Sequence, residues 1–144
     1  MKQNELNNPA WHALNSFHRH LALCGEIAAR YQTDTFTVAA MPENTISGFN
    51  DLRQLVDADE PLYIVGTLPK NLHGWQVLQS AIAPQMICQE LKPAAQMDAI
   101  KLSKQDVPEM LDLIALAQPG PFLTRTIEMG NYYSIRQDGK LVAM

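Results

Sequence analysis

Apolar positions along this chain change period several times, and each change predicts an element. The clearest run is Val107, Met110, Leu111, Ile114 and Leu116-Ala117, which share one face at helical spacing. Ser103-x-x-Asp106 ahead of it resembles a capping box with the shorter acid. Asp106 and Glu109 fall in the first turn, where negative charge suits the helix dipole. Pro119-Gly120-Pro121 stops the helix, and Phe122 to Met129 is predicted to form a second short helix. Tyr132-Tyr133-Ser134-Ile135-Arg136 and Lys140-Leu141-Val142-Ala143-Met144 then flank Asp138-Gly139. Asp-Gly between two β-rich runs predicts a hairpin, because the turn needs positive φ and glycine supplies it at little cost. The last run is apolar up to Met144 with no polar tail, so the expectation is a domain cut short.

Upstream, Asn8 suits an N-cap and Pro9 a first helical position. Trp11, Leu14 and Phe17 share a helical face, which predicts a helix from Pro9 to about Leu14 or beyond. Leu21 to Ala29 is apolar enough to continue as helix, with Gly25 its weak point. Thr33 to Ala40 reads as a strand closed by Pro42. Ser47 is the expected cap of a helix through Phe49, Leu52, Leu55 and Val56. Leu62 to Val65 reads as a short buried strand before a turn at Leu68-Pro69-Lys70-Asn71. Trp75 to Ala83 fits helix or strand equally; Met86 to Leu91 and Met97 to Leu102 read as strands. Pro93-Ala94-Ala95 marks the expected internal boundary. The predicted fold class is α/β, a mixed sheet with helices, divided into an N-terminal α/β region over 1–96 and a strand-helix-helix-hairpin unit over 97–144.

Composition narrows the function classes. A chain of 144 residues, 47% hydrophobic, can bury a real core. Charged residues are 18%, which argues against disorder. A net charge of −4 and no basic run argue against a nucleic-acid surface. The apolar stretches are shorter than the roughly 18 residues of a membrane span. Met1-Lys2-Gln3-Asn4-Glu5 leads into no apolar signal core, so the cytoplasm is the expected compartment. Cys24 and Cys88 are far apart without a motif and read as reduced core thiols.

The C-terminal stretch resembles the early part of a GNAT-type N-acetyltransferase. The matching residues are Pro119, Gly120, Pro121, Phe122, Arg125, Thr126, Gly130, Tyr132, Ile135, Arg136, Gly139 and Leu141 to Met144. Looser matches lie at Asn8 to Leu14, Gly74-Trp75 and Gln85-Met86. The resemblance implies an acyl-CoA N-acyltransferase fold, acetyl-CoA as cofactor of a full-length protein, and acetyl transfer to an amine acceptor. It also implies a cofactor loop of the type R-x-x-G-x-G/A, whose amides and following helix N-terminus hold pyrophosphate. No such loop occurs here, so no cofactor-binding residue carries over, and the fragment alone is expected to be inactive. A non-catalytic protein-interaction module is the alternative.

The resemblance places Phe122, Arg125 and Tyr132 on the acceptor side of the cleft, as substrate-binding candidates; no catalytic residue is assigned. The competing reading puts Phe122 and one tyrosine in the core and pairs Arg125 with Glu128 or another carboxylate. His20 and Cys24, four apart, would share a helical face, but zinc needs three or four ligands and no further ones are evident. Asp57, Asp59 and Glu60 read as a solvated linker before Pro61. A strand over Lys140 to Met144 with a free apolar edge would recruit a second copy of the chain.

Overall fold

A computed structural model describes residues 6–92 and 99–144. The N-terminal part is built on a four-stranded mixed sheet of β1 (Ala22–Cys24), β2 (Ala29–Tyr31), β3 (Val38–Ala40) and β4 (Tyr63–Ile64), in that spatial order. The first three strands are antiparallel, and β4 joins β3 in parallel. Both faces of its centre are covered, so every residue of β2 and β3 is buried. Alternation sorts them. Ala29, Tyr31, Val38 and Ala40 pack with Leu14 of α1 (Pro9–Leu14) and with Leu21. Ala28, Ala39 and Met41 pack against Phe49 and Leu52 of α2 (Ile46–Leu52).

Helix α1 is set by its caps. Asn8 Oδ1 accepts from Trp11 N at 3.3 Å, while its Nδ2 donates to the Met41 carbonyl at 2.8 Å. The cap of α2 is Thr45 rather than Ser47: its hydroxyl accepts from Gly48 N at 3.1 Å.

The largest correction concerns Leu21 to Ala29, which forms not a helix but a 3₁₀ turn and the β1–β2 hairpin. The reason lies far along the chain. One carboxylate, Asp51, accepts the backbone N–H groups of Glu26, Ile27 and Ala28 at 3.2, 2.8 and 2.8 Å. These bonds satisfy the turn's amides, and they hold the Asp51 carboxyl below its usual range. A Cβ on Gly25 would sit 2.3 Å from that carboxylate.

Other expectations fail where tertiary contacts outrank local pattern. The strand expected from Thr33 starts only at Val38, because 32–35 form a turn. Strand β4 is an outer strand, with Tyr63 and Val65 more than half exposed, not a buried one. The turn falls at His73-Gly74, where φ is +75° at Gly74, rather than at Leu68–Asn71. Trp75–Ala83 and Met86–Leu91 adopt neither helix nor strand. Both cysteines are exposed, not core thiols. Glu60 is no solvated linker residue: it forms a two-pronged pair with the wholly buried Arg30 guanidinium, which also donates to the Leu55 and Tyr31 carbonyls. The expected boundary at Pro93–Ala95 and the start of the Met97–Leu102 strand lie outside the described residues.

The C-terminal part is a three-stranded sheet, β5 (Ile100–Lys101), β6 (Tyr133–Gln137) and β7 (Lys140–Ala143), covered by α3 (Val107–Ala117). Its core is Leu102, Met110, Ile127 and Leu141. The Ser103–Asp106 capping box forms, with Asp106 Oδ2 accepting from Ser103 N at 2.8 Å. Phe122–Met129 is helical only as a 3₁₀ turn at Thr126–Met129. Asp138 and Gly139 have φ of +50° and +79°, both positive as a type I′ turn requires. Gly130 differs: its φ of 175° is extended backbone, and a Cβ there meets open space. Gly139→Val is therefore expected to lower stability by about 1 kcal/mol or more, whereas Gly130→Ala should leave it nearly unchanged. Denaturant midpoints of the two variants check both.

Candidate functional site

The resemblance directs attention to the connection from α3 to β6. α3 ends at Gln118, held in the left-handed region at φ +46°. Two prolines then bar continuation and deliver Phe122 against the sheet. Its ring meets Tyr132 edge-on, with centroids 5.6 Å apart at 89°. Both rings pack on the α3–β7 core. Burial raises the Tyr132 hydroxyl above its ordinary pKa, so at neutral pH this phenol is a hydrogen-bond donor and not a base.

Arg125 is engaged elsewhere. Its Nη1 donates to Gln32 Oε1 and lies 3.2 Å from Asp34 Oδ1. Its Nη2 and Nε donate to Glu128 Oε2 at 2.8 and 3.2 Å. Lys104 Nζ reaches the other Glu128 oxygen at 2.7 Å. The two cations, Arg125 first, pull the Glu128 carboxyl down to about 2. So the structure brings Phe122 and Tyr132 together and turns the Arg125 guanidinium toward the N-terminal sheet. The Arg125–Glu128 spacing of three residues was a legible signal for one pair; Gln32, Asp34 and Lys104 had none.

Beside this pair lies a buried joint. Thr126 Oγ1 donates to the Thr35 carbonyl at 2.6 Å and accepts from Leu123 N at 2.7 Å. Arg125 N donates to the Asp34 carbonyl at 3.0 Å. His18 belongs to the same joint. Its Nε2 is 2.7 Å from the Met129 carbonyl and its Nδ1 2.7 Å from the Tyr31 hydroxyl. A carbonyl only accepts, so Nε2 carries the proton of the neutral ring and Nδ1 accepts from Tyr31. Burial pushes Tyr31 up to about 12, which keeps it a donor.

Two depressions mark the N-terminal part, and neither is lined by Phe122, Arg125 or Tyr132. One of about 390 Å³ runs past Cys24, Arg30 and Glu60. The other, about 1030 Å³, lies over Phe49, Arg53, Ile64 and Trp75. In its wall the Thr37 hydroxyl and the Trp75 indole N–H are buried without a hydrogen-bond partner. No group of three or more His, Cys, Asp or Glu among the described residues is placed to hold a metal ion. No helix among them is long and apolar enough to cross a membrane.

The N-terminus of α3 is not an anion cradle. Pyrophosphate capture needs free amides and local positive potential. In the 3₁₀ turn that leads into α3, the Ser103 hydroxyl accepts from Gln105 N and the Asp106 carboxylate from Ser103 N, and Glu109 adds a second negative charge. This turn does not fit the pyrophosphate of acetyl-CoA.

No family model matches the sequence, and neither does any curated protein. Among solved structures, the chain is similar to a protein from Novosphingobium aromaticivorans DSM 12444 named as an acetyltransferase from the GNAT family. The TM-score is 0.66 at 22% identity, over 94% of this chain and 61% of that one. The fold is GNAT-like, mixed α/β. The chain thus spans about three fifths of the length of the protein it resembles, and the likeness is one of fold.

The pull of Arg125 and Lys104 on Glu128 has a pH signature. A carboxyl lowered on folding stabilises the native state above its unfolded pKa, here 4.5, and that contribution is lost as pH falls toward about 2. Glu128→Gln should therefore be less stable than wild type at neutral pH, with the difference shrinking between about pH 4.5 and 2. Urea denaturation across that range checks it; a difference independent of pH contradicts it.

Proposed function

We propose that this chain is the N-terminal portion of an acetyl-CoA-dependent N-acetyltransferase, contributing the scaffold and part of the amine-acceptor side, and that it does not catalyse transfer alone. The observation that carries this reading is the GNAT-like fold matched over 94% of the chain but only 61% of the similar protein. The P-G-P-F and R-T residues support it by where they lie: Phe122 against Tyr132, with Arg125-Thr126 tied to the β2–β3 turn. On this reading the chain divides near residues 96 and 97. Phe122 and Tyr132 form a half-apolar shelf with a protonated phenol, suited to positioning a neutral amine by contact and hydrogen bonding. Arg125 acts through the joint, holding that shelf against the N-terminal sheet. The cytoplasm is the compartment such chemistry fits.

Two measurements test the proposal. Calorimetric titration of the chain with acetyl-CoA should show no saturable heat; micromolar binding at one site per chain contradicts the division of labour. The reading frame should run on past Met144 into an R-x-x-G-x-G/A loop. A stop codon directly after Met144 would overturn the enzyme reading in favour of an interaction module.

A further inference from the structure

The stretch after Trp75 is apolar in sequence and bare in structure. From Gln76 to Leu91 the single charged residue is Glu90. Yet every residue from Gln76 to Lys92 is exposed, and none lies in a helix or strand. Ile82, Met86 and Leu91 are each 90% exposed or more, and Val77, Leu78 and Ile87 more than half. Solvated coil is ordinarily rich in polar residues, Gly and Pro. A contiguous exposed apolar strip marks a contact surface instead.

The backbone is as unengaged as the side chains. Among the described residues, no backbone–backbone hydrogen bond involves residues 76–92. The hydrogen bonds of the segment come from side chains: Gln85 Nε2 donates to the Leu6 carbonyl at 3.0 Å, and Cys88 Sγ to the Glu90 carbonyl at 3.4 Å. Alternation would put Met86 and Cys88 on one face of a strand and Ile87 and Leu91 on the other. Apolar side chains on both faces suit a strand covered on both sides. Residues 86–91 therefore carry the side chains and the free backbone groups of a sheet strand, and lack the neighbour.

Resting on the function proposed above, we propose that residues 76–92 are the docking strip for the portion of the protein that follows Met144, and that 86–91 pairs with that portion as a strand. The acetyltransferase of similar fold indicates its size: this chain covers 61% of that protein, and the remainder has no counterpart here. Docking within one chain also proceeds at a high effective concentration, which a second copy lacks. Val77 and Leu78 line the larger depression as well, so strip and depression form one continuous surface.

Hydrogen exchange read by mass spectrometry tests the proposal, comparing chain 1–144 with the protein extended through its own reading frame. Amides of 86–91 should exchange at least about ten-fold more slowly in the extended protein. Ile87→Lys and Leu91→Lys should leave the denaturation midpoint of 1–144 unchanged, because both side chains already face water. In the extended protein each should cancel at least about ten-fold of the protection, the scale of one buried aliphatic side chain. Should a variant fail to fold when extended, the wild-type comparison still decides. Equal exchange of 86–91 in the two forms overturns the proposal, even where the extended protein binds acetyl-CoA and the function proposed above stands. Protection that appears in 1–144 as its concentration rises makes a second copy the occupant and overturns it too. A stop codon directly after Met144 overturns both.

Discussion

One buried threonine governs how the two parts of this chain meet. Thr126 is 3% exposed and Thr35 fully buried, and the single Thr126 hydroxyl serves both sides, donating to Thr35 and accepting from Leu123. Magnitudes decide that this contact outranks its more conspicuous neighbour. The Arg125–Asp34 pair is partly solvated, with the aspartate side chain about half exposed, and such pairs contribute roughly 0–1 kcal/mol. Removing the hydroxyl strands the buried Thr35 carbonyl, at about 1–3 kcal/mol for a buried group left unpaired, and frees the half-buried Leu123 amide as well. The His18 bond to the Met129 carbonyl closes the same seam from α1. The position of Phe122 and Tyr132 relative to the N-terminal sheet follows from that seam.

The same logic separates what the sequence revealed from what it concealed. α1 and α3 were legible because their determinants are local: Asn8-Pro9 at one start, the Ser103–Asp106 box at the other, and prolines after Ala117. The Asp138-Gly139 turn was legible for the same reason. Residues 21–29 were not, because a helix-compatible run is held as a hairpin by a carboxylate at position 51. Glu60 looked like one acid among three; its partner, Arg30, lies 30 residues earlier on a strand with no unusual pattern. At the candidate site, Phe122 and Tyr132 do meet. The direction of Arg125 depends on Gln32 and Asp34, over ninety residues away, which no spacing rule reaches.

Electrostatics sets the limit of what the described residues do chemically. The strongest shifts belong to groups tied up in structure: Glu128 under two cations, Tyr31 buried beside His18. The first turn of α3 is anionic, and its carboxylates cap the helix and accept the Leu141 N–H of β7. The groups with the largest shifts thus serve to hold the structure together.

The central claim is that the Thr126 hydroxyl locks the two parts together. Thr126→Val preserves shape and removes only that hydroxyl. Its denaturation, followed by amide hydrogen exchange on β6 and on β2, measures the claim directly. The account predicts a loss of about 2 kcal/mol, with β6 amides losing protection more than β2 amides. Coincident midpoints and unchanged exchange on both strands would contradict it.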